Sequence, residues 1–231
     1  YARRGEAPQR ADDFAPGEAN TKRLNRGDRP GTHWLPAEVD VSIRPGWFYH
    51  ASEDTRVKTP AQLLDIYYQS VGRGAGLNLN LPPDRRGQIH ENDIQSLREF
   101  RRILDATFAK NLAQDAQATA SNVRGGAQPF AAANVLDLNR ATYWATDDSV
   151  ATAELTLRLT SAATFNVISL REFLPLGQRV DAFALDRWQD GKWIEFAKGT
   201  SIGNRRLLRF ENVTTDKVRL RVTQAAACPA L

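Results

Sequence analysis

The chain has 231 residues, of which 42% are hydrophobic and 25% are charged, which is ordinary for a globular protein and too apolar for a disordered one. Its 31 Lys and Arg residues exceed its 27 Asp and Glu residues by a net charge of only +4, without any run of five like charges, which argues against a nucleic-acid-binding protein. The single cysteine, Cys228, excludes an internal disulfide and a cysteine-based zinc cluster, and no apolar stretch is long enough to span a bilayer.

The N-terminal part begins with a predicted loop and a predicted strand. Residues 1–33 are rich in Arg, Gly, Asp and Pro and lack apolar periodicity, a composition typical of loops. The sequence starts without Met and without the apolar core of a signal peptide, so we interpret it as an internal piece of a longer protein. Val39, Val41 and Ile43 then alternate with polar residues, which predicts a short strand.

Two helices and a second strand are predicted after this strand. Thr59 is a suitable N-cap before Pro60, and Gly72 is expected to end the helix that begins there. The alternating segment 77–81 predicts the second strand, and an apolar face at helical spacing predicts another helix capped by Asp93. Strands and helices that alternate with short connections are typical of an α/β fold.

The pattern of the sequence changes near residue 110, after which short alternating runs replace the helices. The segment 189–192 predicts a tight hairpin between Trp188 and Trp193. Evenly spaced strands of this kind indicate an all-β antiparallel sandwich, so we predict two domains, residues 1–110 and residues 111–231. The predicted strands of the second domain are 153–159, 165–170, 180–188, 193–197, 207–210 and 218–222.

The densest candidate chemistry lies in residues 33–50, which contain two His, two Trp, a Tyr, two carboxylates and an Arg. Indole rings stack on the apolar face of a pyranose while polar groups bind its hydroxyls, and a glycosidase needs a pair of carboxyl groups. Glu38 and Asp40 share a strand face with Ser42 and Arg44, opposite Val39, Val41 and Ile43, which predicts an inward polar wall over an apolar back. The alternatives are that both acids are surface carboxylates on an edge strand and that Arg44 merely pairs with Asp40.

Three strings in this region resemble the C-terminal part of α-L-fucosidases of glycoside hydrolase family 29. They are residues 33–50, which include SIRPGWFYH, residues 67–73, YYQSVGR, and residues 77–84, LNLNLPPD. The similarity runs from about residue 24 to residue 108 and into the second domain, and the branch that hydrolyses α-1,3/4-linked fucose is most similar. The resemblance implies a (β/α)8-type barrel, of which this chain holds the last strands and helices, with its active site at the C-terminal ends of the strands.

The resemblance also implies a retaining mechanism with a covalent fucosyl-enzyme intermediate and no catalytic metal. The family's nucleophile is an aspartate in a WFDG-like string, which does not occur in these residues, so we expect the nucleophile upstream and this chain alone to be incomplete and inactive. The general acid of some members is a Glu near the position of Glu38, whereas in the α-1,3/4 branch it lies in an earlier GNE-like string. Glu38 is therefore a candidate acid/base or pocket residue. The candidate substrate-binding residues are Trp34, Asp40, Arg44, Trp47, His50, Asn78 and Asn80, with a structural hydrogen bond as the alternative for His50.

The second domain resembles a different known family. Residues 118–121 and 134–144 are similar to a discoidin, or galactose-binding-like, β-sandwich of the coagulation factor 5/8 C-terminal type. The strings SLRE at 169–172 and GQRV at 177–180 fit the version of this domain that is attached to fucosidases. We expect Trp144 to lie in the core of this sandwich.

The same resemblance raises the question of a structural calcium ion. In that fold a loop equivalent to residues 137–142 can hold Ca²⁺, with Asp137, Asn139 and Thr142 as the candidate ligands here. Calcium takes six or more oxygen ligands, and these residues offer three side chains. We therefore expect an Asx-type turn at this loop and no cofactor.

Taken together, the motifs predict an enzyme that hydrolyses terminal α-L-fucose, α-1,3/4-linked by the resemblance. Its expected partners are a fucosylated oligosaccharide or glycoconjugate and the N-terminal barrel segment of the same protein, and nucleic acid and membrane spans are not expected. The family's substrates imply an extracellular or periplasmic location. The alternative hypotheses are a non-catalytic carbohydrate-binding β-sandwich module and a regulator that uses the barrel remnant as a scaffold.

Overall fold

The computed structural model describes residues 37–231. Their α-helices are α1 (Pro60–Gln69) and α2 (Glu91–Phe108). The strands are β1 (Glu38–Ser42), β2 (Gly76–Asn80), β3 (Gln117–Ala120), β4 (Ala153–Leu170), β5 (Val180–Gln189), β6 (Lys192–Gly199) and β7 (Arg206–Ala225). Short 3-10 helices occupy Ala51–Arg56, Val71–Arg73, Arg124–Gly126, Gln128–Phe130, Ala132–Leu136 and Leu174–Leu176.

β1 and β2 form a two-stranded parallel sheet, and α1 lies in the connection between them. Asp40 pairs with Asn78 and Ser42 pairs with Asn80 in the strand register. Because α2 follows β2, the chain alternates strand and helix as the sequence predicted. The parallel pairing means that residues facing one another across the two strands share a face of the sheet.

The start of α1 is as predicted, but its end is not. Thr59 Oγ1 accepts a hydrogen bond from the Gln62 backbone N–H at 3.3 Å, and Gln62 Oε1 accepts one from the Thr59 N–H at 2.9 Å, which makes a capping box. The prediction that Gly72 ends the helix is wrong, because α1 ends at Gln69. A 3-10 turn follows it, and Gly74, with a φ of +83°, takes the left-handed conformation after that turn.

α2 begins with a cap that the sequence analysis assigned to another residue. His90 is the N-cap, and its Nδ1 accepts a hydrogen bond of 3.2 Å from the Asn92 backbone N–H. Asp93, the predicted cap, lies inside the first turn and is 0% exposed. The physical reason is that the Asp93 carboxylate is already occupied by the guanidinium of Arg44, from which it accepts a hydrogen bond of 2.9 Å.

The second part of the chain forms a five-stranded antiparallel sheet in the order β3-β4-β7-β5-β6. Strands that were predicted separately are continuous here, since β4 spans both 153–159 and 165–170 and β7 spans both 207–210 and 218–222. A register shift between Arg158 and Ala163 lies at the gap between the two strands that were predicted within β4. Such irregularities bend and twist a long strand pair, so this sheet wraps around its core and gives the predicted antiparallel β-sandwich.

The hairpin between β5 and β6 confirms the prediction for residues 189–192. Trp188 pairs with Trp193, and the two turn residues Asp190 and Gly191 have φ angles of +51° and +77°. Positive φ at both central residues is the requirement of a type I′ turn, which matches the twist of the flanking strands. The indole rings pack edge to face with centroids 5.1 Å apart.

The core of the sandwich lies between the sheet and the loops that precede β4. Trp144 is 0% exposed, as predicted, and its Nε1 donates a hydrogen bond of 2.9 Å to the carbonyl of Asn122. Around it pack the inward-facing residues of β4, β5 and β7. They include Leu155, Val180, Phe183, Leu185, Leu220 and Val222.

The two parts of the chain touch where α1 and the following 3-10 turn meet β7. Arg209 forms an ion pair with Asp65, and its guanidinium carbon lies 5.0 Å from the centre of the Tyr68 ring. Gly72 approaches Leu207 so closely that a Cβ on the glycine would stand 3.3 Å from the Leu207 Cβ. This contact joins the parallel unit to the edge of the sandwich.

Candidate active site

The exposed face of the parallel pair carries three of the predicted site residues. Glu38 and Asp40 are exposed on β1, and Asn78 is exposed on β2 directly beside Asp40. Paired residues of neighbouring parallel strands point to the same side, so we name these three side chains the polar strand face. Val39 and Val41 are half-buried on the opposite side of β1, as the alternation predicted.

An exposed aromatic segment follows β1. The side chains of Trp47 and Phe48 are 49% and 79% exposed, and His50 is also exposed. Asn80 holds the segment in place, because its Nδ2 donates to the Trp47 carbonyl at 2.8 Å and to Ser42 Oγ at 3.2 Å. The amide group predicted to bind substrate is thus engaged in fixing the backbone of the aromatic segment.

Arg44 does not lie on the polar strand face, which corrects the prediction. The residue is 0% exposed, and its Nε and Nη1 donate to Asp93 Oδ2 at 2.9 Å and to Asp54 Oδ1 at 2.8 Å. The proposed pairing with Asp40 is wrong for the same reason. β1 ends at Ser42, so the period of two that placed Arg44 beside the two acids no longer holds when the chain bends.

Asp54 links Arg44 to the aromatic segment. Its Oδ2 accepts a hydrogen bond of 3.2 Å from the Tyr49 hydroxyl and lies 3.4 Å from His90 Nε2. The hydrogen bond from Arg44 holds the pKa of the Asp54 carboxyl below its usual value, although desolvation acts in the opposite direction. The Arg44 guanidinium also lies 4.7 Å from the centre of the Tyr49 ring, so one buried cation fixes this side of the segment.

These supporting residues could not be found from local spacing. Asp93 is far from Arg44 in the sequence, and Asp54 belongs to a 3-10 helix that the sequence analysis did not predict. The only local signal is an arginine directly after the buried apolar residue Ile43, where burial would demand a carboxylate partner. Trp34, the remaining predicted binding residue, lies outside the described residues.

The loop of residues 137–142, which holds the candidate calcium ligands, is closed by hydrogen bonds within itself. The two Asp137 carboxylate oxygens accept from the Asn139 N–H at 2.8 Å and from the Thr142 hydroxyl at 2.6 Å, and Asn139 Oδ1 accepts from the Ala141 N–H at 3.0 Å. These are Asx-type turns, and the three side chains do not form a set of oxygens free to surround a cation. Within residues 37–231 no group of three or more His, Cys, Asp or Glu side chains could hold a metal ion.

The arrangement supplies the parts of a saccharide-binding surface. Carboxylates accept hydrogen bonds from hydroxyl groups, an amide both donates and accepts, and an exposed indole offers an apolar plane. Glu38 is exposed at this face. Among the described residues, no helix combines the length and the apolar character that a bilayer crossing requires.

Both parts of the chain are similar to known proteins. Residues 117–230 match the family model of the F5/8 type C domain. Alpha-L-fucosidase 1 of Arabidopsis thaliana is 41% identical over 219 residues, which cover 93% of this chain and 43% of that protein. The chain spans about two fifths of the length of the curated relatives that it matches.

Solved structures of glycoside hydrolase family 29 are also similar to this chain. SpGH29 is 39% identical, with a TM-score of 0.84 over 93% of this chain and 46% of that one. A GH29 fucosidase of Ruminococcus gnavus, solved in complex with fucose, is 33% identical, with a TM-score of 0.80 over 88% of this chain and 41% of that one. The chain therefore joins an F5/8 type C domain to a segment homologous to the α-L-fucosidases of glycoside hydrolase family 29, which confirms the resemblance seen in the motifs.

Proposed function

We propose that this chain contributes part of the active site of an α-L-fucosidase that removes terminal α-1,3/4-linked L-fucose from glycans. The observation that carries the proposal is the polar strand face, where Glu38, Asp40 and Asn78 are exposed together. The exposed Trp47 lies in the segment whose backbone is bound by Asn80 of the same β2 strand. A relative of similar structure was solved with fucose, which supports a deoxy sugar as the ligand of this face.

The roles of the residues follow from their chemistry. Glu38 acts as the acid/base or as a pocket residue in a retaining mechanism with two carboxyl groups, the second being a nucleophilic aspartate outside these 231 residues. Trp47 stacks on the apolar face of the sugar, while Asp40 and Asn78 bind its hydroxyls and His50 can donate a further hydrogen bond. Arg44 acts through Asp54 and Tyr49 as a positioning residue, since it is fully buried.

The proposal includes the architecture around this site. We assign residues 1–110 to the last strands and helices of a (β/α)8-type catalytic barrel and residues 111–231 to the appended sandwich. The parallel pairing of β1 and β2 around α1 supports this assignment, because a barrel of this type is built from such units. The partners are then the N-terminal barrel segment and a fucosylated glycan, in an extracellular or periplasmic setting.

The test is the Glu38→Gln variant of the complete enzyme, assayed on nitrophenyl fucoside and on a fucosylated oligosaccharide. We expect turnover to fall at least about tenfold, because a carboxyl group that donates or accepts a proton contributes roughly 10²–10⁴-fold. Recovery of turnover by azide would assign the acid/base role to Glu38, and its absence would assign a pocket role. Glu211→Gln, which alters an exposed glutamate of the sandwich, is the matched control and should leave turnover unchanged.

A non-catalytic carbohydrate-binding module is the second candidate function, favoured by the F5/8 type C match over 117–230. It predicts that the folded chain binds glycans but leaves them intact even when the rest of the barrel is supplied. No detectable turnover by the complete protein, together with retained glycan affinity, would favour this candidate over the enzyme.

A further inference from the structure

We propose that three arginines at one end of the sandwich, Arg140, Arg171 and Arg205, bind carboxylate side chains of the upstream barrel segment of the same protein. We name these residues the junction arginines. The inference rests on the proposed function, which assigns the parallel unit to a (β/α)8-type barrel. It adds the surface through which the sandwich would hold the rest of that barrel.

One face of β7 already contacts the parallel unit. Leu207 and Arg209 lie two residues apart on β7 and therefore point to the same face. A Cβ at Gly72 would stand 3.3 Å from the Leu207 Cβ, and Arg209 forms its ion pair with Asp65 of α1. Leu208, between the two, packs against the core of the sandwich. We therefore call the opposite face of β7 the junction face.

Arg205 and Arg171 continue the junction face beyond these contacts. Arg205 lies two residues before the first contact residue and so extends the same face. Leu170 of β4 pairs with Arg206 of β7. Because the strands are antiparallel, the residue that follows in β4, Arg171, lies opposite Arg205. A Cβ at Gly74 would stand 3.3 Å from the Arg205 backbone nitrogen, so Arg205 lies against the turn that leads into β2.

Arg140 reaches the same end of the sandwich from the loop of residues 137–142. Tyr143, directly after this loop, stacks on Phe173 with the ring centres 4.1 Å apart, which holds the loop beside the segment that follows β4. Burial lowers the pKa of the Arg171 guanidinium, and the nearby charges of Arg140 and Arg205 lower it further. Three segments that are distant in the sequence thus bring three cations together.

These cations have no acid partner in the described part of the chain. Within residues 37–231, no ion pair or side-chain hydrogen bond involves Arg140, Arg171 or Arg205. Arg209, on the same face, differs because Asp65 is its partner. Like charges held together destabilise a folded chain, and the planar guanidinium group matches a carboxylate. The cluster therefore favours an acidic partner from outside the described residues.

The open edge of β2 indicates which partner this is. Among the described residues, β2 pairs only with β1, on one of its two edges. A closed barrel requires a further parallel strand on the other edge, whose start lies about 5 Å from the start of β2 at Gly76. Gly76 is close to Gly74, which contacts Arg205, so the segment that leads into the added strand passes within reach of the junction arginines. The upstream segment is therefore the partner that continues the existing junction.

The test is carbodiimide crosslinking of the complete enzyme, which joins a lysine amine to a carboxylate in direct contact. Arg171→Lys and Arg140→Lys keep the positive charge and supply the amine. We expect each variant to gain a crosslink to an Asp or Glu upstream of Tyr1, identified by mass spectrometry. Arg158→Lys, the same change in an exposed arginine of β4, is the matched control and should gain none. Crosslinks only to acids within these 231 residues, or none from either variant, would overturn the proposal.

Two further variants secure this result. Arg101→Lys verifies the chemistry, because Arg101 lies 2.8 Å from Asp105 and the introduced lysine should couple to that acid. Arg205→Met should lower the melting temperature of the complete enzyme by about 2 °C at low salt, and by less in about 1 M NaCl, because it leaves an upstream carboxylate unpaired. A melting temperature equal to that of the wild type at both salt concentrations would contradict the contact, and if Arg205→Met fails to fold, the crosslinks decide.

A small anion is the other occupant that the experiments distinguish. Micromolar binding of inorganic sulfate to the full chain, lost in Arg171→Met and not accompanied by upstream crosslinks, would assign the cluster to a free anion and refute the interface. Glu38→Gln should leave the crosslinks unchanged. If the crosslinks fail while Glu38→Gln still loses turnover, the interface alone is refuted. If the crosslinks form while Glu38→Gln keeps full turnover, the interface stands and the role proposed for Glu38 fails.

Discussion

Asp93 accepts a 2.9 Å hydrogen bond from Arg44 Nε, and both side chains are completely shielded from solvent. The pair connects the end of β1 to the first turn of α2. Arg44 Nη2 and Asp93 Oδ1 have no hydrogen-bond partner within the described part of the chain, so the pair depends on its one direct bond and on the contact with Asp54. Two charged groups in such surroundings are tolerated only together.

The first prediction concerns this buried pair. Asp93→Ala should lower the free energy of unfolding by about 3–5 kcal/mol, because it leaves the guanidinium of Arg44 buried beside only the partly exposed Asp54. Urea denaturation followed by circular dichroism measures the loss. Asp105→Ala, which removes the partner of the exposed Arg101, is the control and should change stability little.

A double variant separates the charge from the packing. Arg44→Met combined with Asp93→Ala should recover part of the loss, since the uncompensated cation is gone. Equal stability of the single and the double variant would argue that packing alone explains the effect.

The second prediction concerns the pH dependence of Glu172, which is 1% exposed. Its carboxylate accepts hydrogen bonds from the N–H groups of Arg179 at 2.6 Å, Val180 at 2.8 Å and Gly203 at 2.6 Å. Burial raises the pKa of the Glu172 carboxyl, and these three bonds offset the rise only in part. The folded state therefore binds this proton more tightly than the unfolded chain does.

In the unfolded chain the pKa of a Glu carboxyl is about 4.3. The stabilisation that comes from the raised pKa of Glu172 is therefore complete below about pH 4 and is lost as the pH rises through the pKa of this carboxyl in the folded state. Glu172→Gln does not titrate, so the stability of the wild type relative to this variant should decline over that interval. Urea denaturation at a series of pH values measures the difference. A constant difference would show that Glu172 does not titrate differently on folding, and Glu211→Gln serves as the exposed control.

The third prediction concerns the junction between the parallel unit and the sandwich. Gly72→Ala should destabilise the chain by about 1–3 kcal/mol, because the new methyl group meets the Leu207 Cβ at 3.3 Å. Gly76→Ala is the matched control, since the nearest atom to its Cβ would be the Ala37 carbonyl oxygen at 3.9 Å. Thermal unfolding measures both variants.

The identity of the clashing partner can be checked separately. The cost of Gly72→Ala should shrink when Leu207 is also replaced by Gly, which removes the Cβ, although Leu207→Gly alone is destabilising. If the two substitutions are additive, the contact is not the source of the effect.

Local rules predicted those features that local chemistry determines. The capping box at Thr59 and the positive φ angles at Asp190 and Gly191 depend on a few consecutive residues, and the sequence analysis identified both sites. The shared face of Glu38 and Asp40, opposite Val39 and Val41, followed from the period of a strand whose limits were nearly right.

The same rules did not predict features that depend on residues distant in the sequence. Arg44 was misplaced because its position is set by Asp93, which only the folded chain brings near. The continuity of β4 and β7 was missed because the alternation of apolar and polar residues is interrupted where the pairing register of the two strands shifts.

The pairing of β4 with β7 has a consequence for how the protein is made. Leu170 pairs with Arg206 at one end of the two strands, and Ala153 pairs with the more distant Val222 at the other end. During synthesis, the apolar face of β4 therefore stays uncovered until Val222 has emerged from the ribosome. Contacts this distant along the chain form slowly, so the apolar face of β4 is open to other contacts until its pairing with β7 is complete.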